Sequence, residues 1–341
     1  MDQKPRPQLR QVLRAKRSVL VIGSFLFSIL LAFQAQANDL EVHGFLSQGY
    51  LKSTGNNYLA KTKIGSWEYS EAAINFATSV TDELSMGVQF FTRELGRLGN
   101  FKIDVDWAFG DYAYSDWLGF RVGRIKNPYG LYGEIQDFDI VRATVLLPQS
   151  VYYLAIRDLV VSFNGASLYG SVDLGDFGAF DYQLFGGGLV FDENNSMAYY
   201  FENEAYNPET GIQAFDMTEV TSKWCGGGAL KYHTPLEGLL FNISGFLVNG
   251  NGKATMSPEI TKTLETVDKK PEDWTEELTA TFHNVLFWVG SAQYTYDDFV
   301  ATTEYAGYVG TMQFSLAPVT PQAILNQHRW YAQFEYRFSD L

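Results

Sequence analysis

The chain has 341 residues, 46% of them hydrophobic and 16% aromatic, with a formal net charge of -14 and a single cysteine, Cys225. Such acidity argues against nucleic acid as a partner. One cysteine excludes an intrachain disulfide and makes a zinc or thiol-catalysis site a poor reading, so Cys225 is read as a small strand residue.

The first residues set the compartment. Lys4, Arg6, Arg10, Arg14, Lys16 and Arg17 stand against the single acid Asp2, then Val19 to Phe33 run apolar and end in Gln34-Ala35-Gln36-Ala37. This order predicts a secretory signal peptide over residues 1–37, with cleavage before Asn38. The apolar run is too short for a retained membrane helix, which needs ~20 residues, and no later stretch approaches that length without a polar break. Removing the segment takes away six basic residues and one acid, so the exported chain, 38–341, is more acidic still.

Beyond it, apolar residues alternate with polar ones. That pattern fits a half-buried soluble sheet or a barrel with lipid outside and water inside. Glu41 to Leu51 predicts a first strand whose faces stay ambiguous. A polar loop over 52–66 leads to a second strand, 67–79, with Ala72, Ile74 and Phe76 on one face and Glu71, Ala73 and Asn75 on the other. The third, 84–93, sets Leu84, Met86, Val88 and Phe90 against Ser85, Gly87, Gln89 and Arg93. The fourth, 101–113, sets Phe101, Ile103, Val105, Trp107 and Phe109 against Lys102, Asp104, Asp106 and Ala108. Period two with charge on one face is a strong strand signal, and charges so deep in a strand must face water.

A fifth strand, 117–126, breaks at Asn127-Pro128-Tyr129-Gly130 and opens a long charged loop, 128–158. The sixth and seventh, 165–174 and 180–190, are followed by an acidic loop over 191–222. In the eighth, Trp224, Leu230 and Tyr232 oppose Cys225, Lys231 and His233. In the ninth, Leu239, Phe241, Ile243 and Leu247 oppose Asn242 and Ser244. After a charged loop, 250–277, come the tenth and eleventh, 284–296 and 299–309. The twelfth, after a loop over 310–327, points Trp330, Ala332, Phe334, Tyr336 and Phe338 outward and Tyr331, Gln333, Glu335 and Arg337 inward.

Short turns and long loops alternate, strands of ~10 residues match a tilted bilayer crossing, and aromatics gather at strand ends; together these predict an all-β, transmembrane antiparallel β-barrel. Closure favours a barrel, because an open sheet in lipid leaves edge amides unsatisfied. The last residues, Arg337 to Leu341, read as a strand entering a short turn. They predict a chain cut after twelve visible strands with one or more closing hairpins beyond; an intact twelve-stranded barrel is the competing expectation.

The segment WLGFRVGRIKNPYGLYGEIQDFD (117–139), followed by VLLPQSVY (145–152), resembles the strand and third loop of porin-like Gram-negative outer-membrane proteins related to the phosphate-selective porin group, which carry a comparable R-x-G-x-x-K-x-P-x-G stretch. HGFLSQGYLKS (43–53) and DWAFGDYAYSDW (106–117) resemble the same proteins. The resemblance implies a barrel of about sixteen strands, a homotrimer, and a third external loop that constricts the lumen. In the hairpin count the loop after the fifth strand is likewise the third long one. The basic ladder of the phosphate-selective members is not visible, and the acidic balance speaks against phosphate.

The candidate site is therefore electrostatic. By alternation the lumen receives Arg93, Asp104, Asp106, Arg121, Lys231, His233, Glu304, Glu335 and Arg337, and the loop adds Glu134, Asp137, Asp139, Arg142, Arg157 and Asp158. Opposed acids and bases would orient dipolar solutes in a narrow aqueous path; the same charges can instead pair and pin the loop. Arg124 falls on the apolar register, which predicts snorkelling to the interface. No twelve-residue calcium loop, phosphate loop, His-x-x-x-His pair or Gly-x-Ser-x-Gly elbow is present, so neither catalysis nor a cofactor is expected. Three functions remain: passive diffusion of small hydrophilic solutes, foremost anions or organic acids; a structural or surface-binding barrel acting through its acidic loops; and an outer-membrane enzyme. The partners expected are outer-membrane lipid, the solute and two further copies of the chain.

Overall fold

The computed structural model describes residues 40–96, 98–137, 144–189, 206–207, 211–213, 215–259, 261–262, 277–315 and 322–338. The signal segment, Asp139 and Arg142 lie outside them. The fold is all-β, one antiparallel sheet of twelve strands in sequence order. These are β1 (Leu40–Gln48), β2 (Tyr69–Ser79), β3 (Leu84–Leu95), β4 (Ile103–Ser115), β5 (Leu118–Lys126), β6 (Ser162–Asp173), β7 (Ala179–Gly188), β8 (Phe215–His233), β9 (Leu239–Met256), β10 (Glu277–Tyr296), β11 (Phe299–Ser315) and β12 (Gln322–Tyr336). A separate two-residue ladder joins 206–207 to 212–213. Every neighbouring pair runs antiparallel, as a meander of hairpins requires, and among the described residues β1 and β12 are the sheet's two edges. No described helix is long and apolar enough to cross a membrane.

The two faces separate by chemistry. Val122, Leu184, Ile243 and Phe334 stand outward, between 60% and 84% exposed, while Asn75, Gln89, Asn242, Ser244, Thr302 and Glu304 point inward and are buried. An apolar face this extensive is a surface for a non-aqueous partner.

Two expectations need correction. The alternation assigned to the fourth strand holds only up to a β-bulge at Asp106, where Gln89 pairs with Trp107 and Phe90 with Val105. The extra residue shifts the pleat by one, and a slip of one turns every later side chain to the other face. Asp104 and Asp106 thus stay on the inner register while Ala108, expected beside them, turns out. Phe109 turns inward, where it packs against the core and lies 5.4 Å from the Arg121 guanidinium; Trp107 follows it, at 5.3 Å between rings.

Strand length is the second. β1 to β7 are 9–13 residues long, but β8 to β11 run to 17–20 and β12 to 15. The expected loops at 191–222, 250–277 and 310–327 are therefore partly ladder. Register irregularities at Ser222/Trp224, Val248/Gly250 and His283/Leu286 line up across three strands, and Asn249 and Asn284 bridge there at 3.0 and 3.1 Å. Beyond that line the buried register passes to small residues, Gly250, Gly252, Ala254 and Ala280, so the apolar alternation fades from the sequence although the hydrogen bonds continue.

Candidate functional site

The segment after β5 does not leave the sheet; it folds into its concave side. Pro128 ends the strand because it has no N–H to give the ladder. Asn127 then donates to Val161 O at 3.0 Å, closing the segment's neck. The return limb contains a 3-10 turn, Leu154–Ile156, and a one-turn α-helix, Arg157–Val160, before β6 begins. Leu147, Val151, Tyr152, Ile156, Leu159 and Val160 from this limb are all buried in one apolar cluster.

Their partner is a row of inward rings on successive strands. Phe163 stacks on Phe185 at 4.3 Å, Phe246 on Phe287 at 5.1 Å, and Phe287 meets Tyr308 at 5.5 Å. Between Phe185 and Phe246 lies β8, where Gly227 pairs with Phe185; a Cβ there would come within 2.1 Å of Gly245 O and 2.6 Å of Phe246 Cβ, so the close approach of β9 admits only glycine. Tyr129 adds an edge-on contact to Phe246 at 5.8 Å. Apolar burial thus holds the middle of the segment.

Polar contacts hold its two sides. On the β3 to β5 side, Arg157 Nη2 reaches Asp137 Oδ1 at 2.6 Å and Asp106 Oδ1 at 2.8 Å. Lys126 Nζ binds Asp106 Oδ2 at 2.5 Å and also pairs with Asp137. Gln89 Nε2 donates to Asp106 Oδ2 at 3.0 Å, and the Arg157 guanidinium lies 4.5 Å from the Phe91 ring. Two acids and two bases, all at most 8% exposed, neutralise each other here. Burial alone would raise the Asp137 carboxyl, but Arg157 and Lys126 overcome it and hold that carboxyl below the usual range.

On the far wall, Gly130 N donates to Ser244 Oγ at 2.8 Å and Leu131 N to Glu304 Oε1 at 2.9 Å. Glu304 also accepts from Ser291 Oγ and from Tyr331 Oη, each at 2.7 Å. Tyr132 N donates to Tyr152 Oη at 3.0 Å. Burial first, and then the charge of Glu304, raise the Tyr129 and Tyr152 phenols, which keeps both rings neutral. The segment therefore spans the enclosed space from wall to wall.

The candidate residues divide accordingly. Asp106, Asp137, Arg157 and Glu304 fasten the loop. Arg93 is buried opposite Glu71 in register, and the backbone of Asp158 lies in the helical turn. Arg121 and Glu134 face a cavity of about 390 Å³ on the short-turn side of the loop, together with Lys231. Arg121 binds Asp111 at 2.8 Å and Glu134 at 3.3 Å, and its guanidinium lies 4.3 Å from the Tyr169 ring. His233 meets Asp181 at 2.7 Å. Asp104 stands apart with Lys102, at 3.0 Å, both half-exposed. Glu335 accepts from Gln333 at 2.5 Å near the turns, and Arg337 lies exposed past β12, its N–H on Asp298 O at 2.9 Å. Arg124 donates to the bulge carbonyl of Asp106 at 3.3 Å.

Lys126, Asp111, Tyr169 and Gln183 belong to this region and were not among the candidates. The lysine stands last in its strand, where alternation assigns no face with force. Asp111 follows the bulge, so its face could be read only once the bulge was known.

No protein-family model matches the chain, and no curated protein does. Solved structures similar to it include Salmonella typhi OmpF in complex with daunomycin, at 12% identity over 87% of this chain and 99% of that one, with a TM-score of 0.39. A mutant porin of Rh. blastica is similar at 10% identity over 87% and 98%, TM-score 0.35. An anion-selective porin from Comamonas acidovorans is similar at 12% identity over 82% and 83%, TM-score 0.30. At these identities and TM-scores no residue's role carries across.

Proposed function

We propose that this chain is an outer-membrane channel for passive diffusion of small hydrophilic solutes, narrowed by the loop between β5 and β6. The observation that carries the reading is the loop's double attachment: Arg157 and Asp137 to one wall, Leu131 and Gly130 to the other. A segment held across an enclosure, beneath an outward apolar face suited to outer-membrane lipid, sets the width of an aqueous path. The signal segment would deliver the chain for export, and three copies would assemble in the membrane.

Kinship with the phosphate-selective porin group rests on the R-x-G-x-x-K-x-P-x-G stretch alone. Both basic residues of that stretch are engaged by carboxylates, Arg121 by Asp111 and Glu134 and Lys126 by Asp106 and Asp137. Neither is free for phosphate, so a less specific diffusion channel is the better reading.

Stepwise conductance of the folded protein in a planar bilayer tests it. Current steps in potassium chloride are expected, and their absence with correctly folded protein ends the channel reading. Reversal potentials in a salt gradient then report selectivity, and Arg121→Ala is expected to shift them toward cations.

A further inference from the structure

The cavity under the loop, about 390 Å³, falls in the size range of small-molecule sites. Its two sides differ. Across it from the neutralised Arg121, β7, β8 and β9 contribute Gln183, Lys231 and Asn242. Lys231 is half-buried and within hydrogen-bond reach of no described residue, although its charge acts on Asp181 across the strands and Asp116 and Glu134 line the same cavity. Its cross-strand neighbour Asp181 is already engaged by His233 at 2.7 Å. Gln183 is 7% exposed, and its Nε2 has no hydrogen-bond partner among the described residues. A buried donor left unmade is unfavourable, and an incoming acceptor relieves it. Leu131, Pro128 and Ala229 give the same cavity an apolar side.

We infer that this cavity is a subsite for a small organic monocarboxylate, its carboxylate received by the Lys231 ammonium and the Gln183 amide, and its short apolar body lying against Leu131 and Ala229. The ammonium supplies charge and the amide supplies direction, so the pair discriminates a carboxylate from a neutral isostere. The subsite rests on the channel reading for its use, since it lies where a solute arrives after passing the loop; its chemistry does not.

The test is calorimetric titration of folded wild-type protein in detergent with sodium butyrate and with butyramide. Butyrate is expected to bind at least about tenfold more tightly than the amide, and Lys231→Met and Gln183→Leu each to weaken butyrate about tenfold, the loss of one charge-assisted or buried hydrogen bond. Gln183→Glu, close in size to the wild type, is expected to abolish binding by placing a carboxylate beside the ligand's. Lys253→Gln, which removes the same charge on the extension of β9, leaves the affinity unchanged. Equal binding of butyrate and butyramide, or butyrate affinity indifferent to the Lys231 and Gln183 variants, overturns the subsite. Current in a bilayer without butyrate binding sinks the subsite and spares the channel; butyrate binding without current does the reverse.

Discussion

The backbone N–H of Leu131 donates to the carboxylate of Glu304 at 2.9 Å, joining residues 173 positions apart. Because Glu304 is fully buried and takes two further donors, Ser291 and Tyr331, Glu304→Ala strands three groups, each at about 1–3 kcal/mol. We expect a lower unfolding midpoint, a larger single-channel conductance and a noisier open state. Glu304→Gln, which retains an acceptor oxygen, should fall between. Bilayer recordings and a thermal melt of both variants check this; wild-type behaviour in each would mean the outgoing limb is not held there.

On the near wall, Arg157→Ala leaves Asp106 and Asp137 to share Lys126. Removing one member of a buried ion pair costs about 3–5 kcal/mol. The expected readout is a fall in the temperature at which the folded protein loses its fast gel mobility. Asp137→Asn with Arg157→Met should cost less together than the sum of the single changes, since each single change strands the other partner. Simple additivity would show that the pair is not coupled.

Acid should reveal the same cluster. Asp137 is held below its ordinary value, against burial, by Arg157 and Lys126. A depressed carboxylate contributes stability that is fully present above the unfolded-state pKa, near 4, and is lost as pH falls below it toward the folded value. The melting midpoint should therefore hold from about pH 8 to about 5 and decline below about 4, with a smaller decline in Asp137→Asn. Equal acid limbs in the two proteins would assign that stability elsewhere.

Gly130 sits at φ 72° in the loop's outgoing limb, where a Cβ would lie 2.3 Å from Tyr152 Oη and 2.9 Å from Glu304 Oε1. Gly130→Ala adds roughly 1–2 kcal/mol of backbone strain to that collision and should reproduce the conductance change of Glu304→Ala. Gly55→Ala, where a Cβ meets nothing, should be silent in the same recording.

Much of the wall was legible from the chain alone. An apolar outward face and a polar enclosed one impose period two, so the faces of β2, β3, β8, β9 and β12 follow from their alternation. The pattern failed where its cause failed. At Asp106 one inserted residue inverted the faces of β4, and a bulge leaves no mark in composition. Beyond Trp224 and Asn249 the buried positions fall to small residues such as Gly250, Gly252 and Ala254, so their continued pairing left little hydrophobic trace.

The loop was found by position and charge, but the role of its charges depends on distances between β4, β5 and the helical turn that no spacing encodes. Asp106, Asp137 and Arg157 stood out as lumen charges; that they close on one another needed the fold. The ring row had a readable signal, since Phe246 shares the register of the inward Asn242 and Ser244, and an aromatic on a polar register marks something packed against it.

The loop's far anchors come late in the chain. Residues 128–132 are synthesised well before Ser244, Phe246, Trp288 and Glu304, and they dock on all four. Early hairpins can pair with their neighbours locally, whereas these contacts require long-range closure and are paid for last in chain entropy. Residues 128–132 can therefore seat only once β9 to β11 are in place, and the seated loop serves as a structural record that the second half of the sheet has arrived.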